Sequence, residues 1–204
     1  MTGLPAALAA LATLVVASLL AWWLVTAIPK RRKKTWRTVA AATGLEVFED
    51  GEGKDLEELR IEGPVTGGVL VASPGERTIY NTTTSNQYQA YYTINGLPDI
   101  AVPRDFVADR SGLTIGGPER KTGDPTFDEQ VHVGGADEEA VLAFLTPPRR
   151  QALISFFAQA PDEACWTSEG ITLSRDIHFF TLKPLLRDLE LVKALMAAFQ
   201  VEGP

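Results

Sequence analysis

The stretch "ELRIEGPVTGGVLVAS", Glu58–Ser73, decides the fold class: two short runs rich in Val, Ile and Leu are broken by Gly and Pro. Runs of that kind, punctuated by turn formers, are the signature of strands. The pattern extends from Leu45 to about Ile115, where "GLEVFED", "RTIYNTT", "QAYYTI", "DIAV" and "GLTIGG" read as further strands beside "ELRIEG" and "GGVLVAS". Alternation puts Tyr88, Ala90, Tyr92 and Ile94 on one face and Tyr91 on the other, which makes Tyr91 a candidate exposed aromatic. "NTTTSNQ", Asn81–Gln87, reads as an edge strand or hairpin, and the acidic "EDGEGKDLEE" as an exposed loop without the ligand spacing of a calcium loop.

Helices flank this β-rich middle. "TWRTVAAATGL" predicts a short helix that buries Trp36, Val39 and Ala40 and stops at Gly44, where glycine takes the left-handed cap without steric cost. "ADEEAVLAFLT" has acidic residues in its first turn, and "TPPRRQALISFFAQA" restarts a helix with Thr146 as N-cap and Pro147 in first position. "ACWTSEGITLS" reads as a hairpin. In the last helix Leu182, Leu185, Leu189, Val192, Met196 and Phe199 recur at spacings of three and four, forming one apolar seam that closes the core.

The N-terminus carries a different signal. Leu4 to Pro29 runs twenty-six residues without a charge, and about 20 apolar residues suffice to span a bilayer as a helix. No basic side chain precedes the run, which disfavours a cleaved signal peptide, whereas "KRRKK" follows it. Trp22 and Trp23 sit where aromatics favour the membrane interface, and Lys30, Arg31, Arg32, Lys33 and Lys34 form a basic collar. The expected organisation is therefore a transmembrane anchor with its collar over 1–34 and one α+β domain over 35–204, mainly antiparallel strands with three or four helices. The positive flank places the chain as a single-pass protein of a bacterial inner membrane, N-terminus out and C-terminal domain cytoplasmic. The reversed orientation, with the domain in the cell envelope, is the alternative. A lone cysteine, Cys165, agrees with a reducing compartment.

Charge narrows the partners. The first 34 residues hold five basic and no acidic side chains, so 14 of the 19 basic and all 26 acidic groups lie beyond them. A domain so acidic is a poor partner for nucleic acid, whose binding rests on phosphate neutralisation. The expected partners are the lipid bilayer, through residues 4–29, and a protein of unknown identity.

Chemistry is sought first in "KTGDPTFDEQVHVGG", Lys121–Gly135. "TGDPT" is turn chemistry, with Asp124 able to bond its own backbone. "FDEQVHV" reads as a strand with Phe127, Val131 and Val133 inward and Asp128, Gln130 and His132 outward. On a strand, Asp128 and His132 would stand about 13 Å apart, too far to share a metal ion. The chain contains no G-x-S-x-G, H-E-x-x-H, P-loop or paired C-x-x-C motif. His178 reads as packed or on the surface, and Cys165 as a small buried hydrophobe. No cofactor, metal or catalytic residue is expected.

Gly123, Asp124, Phe127, Asp128 and Val133, followed by Leu145, Thr146, Pro147 and Arg150, form a G-D-x-x-F-D segment leading into an L-T-P-x-x-R turn. This order resembles an uncharacterised bacterial membrane-anchored domain, a likeness covering most of 35–200 that implies no activity. The motif residues suit a structural role: Asp124 fixing a turn, Phe127 filling the core, and Arg150 meeting Asp124 or Asp128. The function expected from all this is a membrane-anchored, non-enzymatic interaction or scaffolding module. The alternative is a membrane-bound hydrolase or metal-dependent enzyme acting through carboxylates near Asp124 and Asp128.

Overall fold

In a computed structural model the strands join into one eight-stranded antiparallel sheet with helices packed on one face. The structure describes residues 13–19, 22, 30, 33–49, 59–79, 87–112, 118–177 and 182–200. The strands are β1 (Glu46–Glu49), β2 (Leu59–Val65), β3 (Gly68–Ile79), β4 (Gln87–Pro98), β5 (Val107–Asp109), β6 (His132–Gly134), β7 (Cys165–Thr167) and β8 (Gly170–Ile177). Their spatial order is β1-β2-β3-β4-β8-β7-β5-β6. "GGVLVAS" and the start of "RTIYNTT" are one continuous strand, β3, and "QAYYTI" runs on to Pro98 as β4. "DIAV" is not a strand.

One row of paired residues shows why this sheet has an inside. Gly63, Leu70, Gly96, Ile171, Trp166, Ala108 and Val133 lie directly opposite one another across seven strands, and all are buried. The neighbouring row Ile61, Ala72, Ile94 and Leu173 is buried as well. Because side chains alternate at period 2, both rows point to the same side, where the helices must cover them.

The cover comes from helix α1 (residues 33–43), the short α2 (Pro125–Asp128), α3 (Glu138–Phe144), α4 (Pro147–Phe157) and α5 (Leu182–Gln200). Helix α1 buries Trp36, Val39 and Ala40 and ends at Gly44 with φ +72°, while Leu45 N donates back to Ala40 O at 3.1 Å. That is the left-handed glycine stop anticipated for "ATGL". Helix α3 is capped by Asp137, whose carboxylate accepts from Ala140 N, whereas Thr146 precedes α4 without a side-chain cap bond. On α5, Leu185, Leu189, Val192, Met196 and Phe199 are buried. A Cβ on Gly96 would come within 2.8 Å of Val192, so the glycine lets this helix lie close to β4. At the α4–α5 junction Arg149 stacks over the rings of Phe144 and Phe199 and donates to the carbonyl of each.

Three further readings of the sequence are corrected here. The single-pass membrane helix is the first: no helix among the described residues is long and apolar enough to cross a membrane. Of Leu4–Pro29 the structure describes a helical run over 13–19 and Trp22. The inner-membrane localisation and its orientation lose their structural basis with the span, and the remainder of the stretch lies outside the described residues. Second, "FDEQVHV" is not one strand, because Pro125–Asp128 forms a helical turn and only His132–Gly134 pairs as β6. Pro125, with no N–H to give, suits the first turn of that helix. Third, Tyr91 is half-buried, its ring lying over Gly75, its partner across the β3–β4 ladder. The acidic loop over 50–58, the polar tip over 81–86, residues 113–117 and His178 lie outside the described residues.

Candidate functional site

The G-D-x-x-F-D turn is held together by its own carboxylates. Asp128 Oδ1 accepts from Thr122 N and Thr122 Oγ1, each at 2.9 Å, and its Oδ2 accepts from Gly123 N at 3.1 Å. Asp124 caps α2 by accepting from Phe127 N at 3.3 Å, and its other oxygen lies 3.3 Å from Arg150 Nε on α4. Arg150 also donates through Nη1 to Leu145 O at 3.1 Å, tying the turn before α4 to the same guanidinium. Phe127 is fully buried beneath. Both acids therefore act as hydrogen-bond acceptors for a turn, and the turn places Phe127 in the core.

A second carboxylate cluster escaped the sequence reading. Asp188 on α5 is completely buried, yet accepts from Tyr92 Oη at 2.7 Å, from Arg175 Nε at 2.6 Å and from Arg175 Nη2 at 3.2 Å. Arg187 adds Nε and Nη2 at 3.2 and 3.1 Å. Desolvation and the bond to Asp188 push the Tyr92 phenol far above its ordinary range, so it remains a donor. The signal was present in the pattern: Arg175 shares the parity of Ile171 and Leu173, and Asp188 falls beside the apolar seam. Charges on two apolar faces imply a buried pair.

The opposite face of the sheet has no helix among the described residues. There a second complete row crosses all eight strands: Glu46, Glu62, Val71, Asn95, Thr172, Cys165, Asp109 and His132, each directly opposite the next. All but Val71 carry polar groups or a thiol. Thr172 Oγ1 donates to Asn95 Oδ1 at 3.2 Å, and the next pair along the strands, Thr93 and Ser174, joins hydroxyls at 3.1 Å. On the other flank of this row Pro64, Val69 and Leu97 form a short apolar line, with Leu97 exposed. The row is thus a strip of hydrogen-bonding side chains, exposed at Glu46, half-buried along most of its length and buried at Asp109, and it is bordered on one side by apolar ones.

Cys165, Asp109 and His132 deserve a chemical test, since three adjacent strands align them. Burial, then the charge of Asp109, pushes the Cys165 thiol up, which disfavours the thiolate that a nucleophile or soft-metal ligand needs. Asp109 stands between the other two and receives the backbone N–H of Gly112, while His132 Nδ1 pairs with Glu119 at 2.6 Å. Lys121 and then His132 hold the Glu119 carboxyl below its usual range. Among the described residues no three His, Cys, Asp or Glu side chains are grouped to hold a metal ion.

Of the basic collar, Lys33 lies 3.8 Å from the Glu49 carboxylate, which Arg37 on the next turn meets at 2.7 Å, and Lys30 and Lys34 are exposed. Trp22 is exposed, and Trp23, Arg31 and Arg32 lie outside the described residues. Comparison of the chain with protein-family models, characterised proteins and solved structures gives no match.

Proposed function

We propose that this domain is a non-enzymatic protein-interaction module whose contact surface is the open face of the sheet. The observation that carries the reading is the contrast between adjacent residue rows, one wholly buried and the other a polar strip across all eight strands. A rigid sheet backed by a packed helical layer presents such a strip in fixed geometry, and hydrogen-bonding side chains beside a short apolar line suit a protein surface. The hydrolase or metal-enzyme alternative would use Asp124 and Asp128, whose oxygens serve the turn and Arg150.

The test is site-specific photocrosslinking in living cells. A photoreactive phenylalanine derivative in place of Val71, on β3 in the open face, is expected to yield a protein adduct of defined mass, lost when Ser174→Arg is added. The same probe at Gln151, exposed on α4, is expected to yield none. No adduct from position 71, or equal adducts from both positions, would overturn the proposal.

A further inference from the structure

The basic residues of this acidic chain are not evenly spread. Five of its 19 lie together at 30–34, and the described members of that run share a helical face with Arg37. Lys30, Lys33, Lys34, Arg37, Thr38 and Ala41 line an open groove of about 580 Å³. Positions i, i+3, i+4, i+7, i+8 and i+11 stack along one side of a helix, so the cations form a line and do not point apart.

Two of the four share a carboxylate partner. Glu49, at the end of β1, meets Arg37 at 2.7 Å and Lys33 at 3.8 Å. Arg37, more than Lys33, keeps the Glu49 carboxyl ionised below its usual range. Among the described residues the carboxylate that meets these cations is that of Glu49, and the four stand together on one helical face in a chain whose formal net charge is −7. Lys30 and Lys34 project into solvent on the same face. Aliphatic lysine stems and Ala41 supply apolar walls beneath the charged heads.

We infer that the groove lined by Lys30, Lys33, Lys34, Arg37, Thr38 and Ala41 is a binding site for a phosphate-bearing anion, held by Lys30 and Lys34 together with Lys33 and Arg37, which meet Glu49. Phosphate fits because its oxygens accept from several donors at once, guanidinium and ammonium alike. The anion would stand on the side of α1 away from Trp36, Val39 and Ala40, so binding needs no rearrangement of the core.

Calorimetric titration of the full chain with inorganic pyrophosphate tests the site. Saturable binding is expected, weakened at least tenfold in Lys30→Gln/Lys34→Gln and unchanged in Lys183→Gln, an exposed lysine on α5. A second arm separates the two sources of phosphate. Flotation of parent and double variant with phosphatidylglycerol-containing vesicles, against pure phosphatidylcholine, reads headgroup binding, because the apolar N-terminal stretch is identical in both proteins. A Lys30- and Lys34-dependent difference in either arm supports the site and identifies its source. Equal behaviour of parent and double variant in both arms overturns it.

Discussion

Tyr92 Oη donates to Asp188 Oδ2 across 2.7 Å, and this bond ties the middle of the sheet to the C-terminal helix. The carboxylate is fully buried and satisfied by three side chains, so removing it strands two guanidinium groups and a phenol. Breaking a buried pair from one side costs about 3–5 kcal/mol. Asp188→Ala is expected to fall in that range in urea denaturation. Tyr92→Phe, which removes one bond to a charged acceptor, should cost about 1.5–3 kcal/mol. Arg175→Ala should cost more than Arg187→Ala, since the Arg175 side chain is 26% exposed and that of Arg187 56%. The reverse order would show that the cluster is held from the solvent side.

Much of the fold was legible because its signals are local. The α5 seam, the Gly44 stop and the alternation that buries Tyr92 and Ile94 follow from period and turn chemistry alone. The misread segments share a cause, which is that short-range pattern competes with long-range pairing. "FDEQVHV" alternates well enough for a strand, yet Asp124 caps a helical turn there and β6 is left with three residues. The Asp188 cluster depends on residues 96 apart, and the open row on the registers of seven strand pairs. Neither distance is written in any one stretch of sequence.

Asp128 gives a stability test that separates structure from chemistry. Its carboxylate accepts from Thr122 N, Thr122 Oγ1 and Gly123 N. Asp128→Ala leaves those groups without their acceptor, and a loss of about 1–3 kcal/mol is expected. Thr122→Val should cost less, because the backbone bonds to Asp128 survive. Equal stability of Asp128→Ala and parent, by thermal and urea unfolding, would mean that the turn does not depend on its carboxylate.

Cys165 should report its own environment through pH. Burial and the Asp109 charge favour the neutral thiol in the folded protein, so its folded value lies above the unfolded one. The folded state then binds the proton more tightly, and this contribution to stability is present below the ordinary thiol pKa and declines as pH rises through the folded value. Iodoacetamide alkylation of the native protein is accordingly expected to reach half its limiting rate at a higher pH than a free cysteine peptide does. A midpoint at or below the peptide's would indicate an activated thiol and overturn the reading of Cys165 as a buried hydrophobe.

Tyr91 and Gly75 form a pair whose energetics have a sign that can be checked. They are direct partners across β3 and β4, and a Cβ on Gly75 would clash with the Tyr91 ring, so the aromatic occupies the space a side chain would fill. In an ordinary strand, replacing glycine by alanine gains about 0.5–1 kcal/mol by restricting the unfolded chain. Here the clash opposes that gain, and Gly75→Ala in the parent should be destabilising. Once Tyr91→Ala has removed the ring, the same Gly75→Ala change should become neutral or stabilising. A double-mutant cycle by urea denaturation is expected to give a coupling of about 1 kcal/mol or more. Additive effects would mean that the ring does not cover Gly75 in solution. Tyr91 would then be free to project from the open face, as its position in the alternation first suggested.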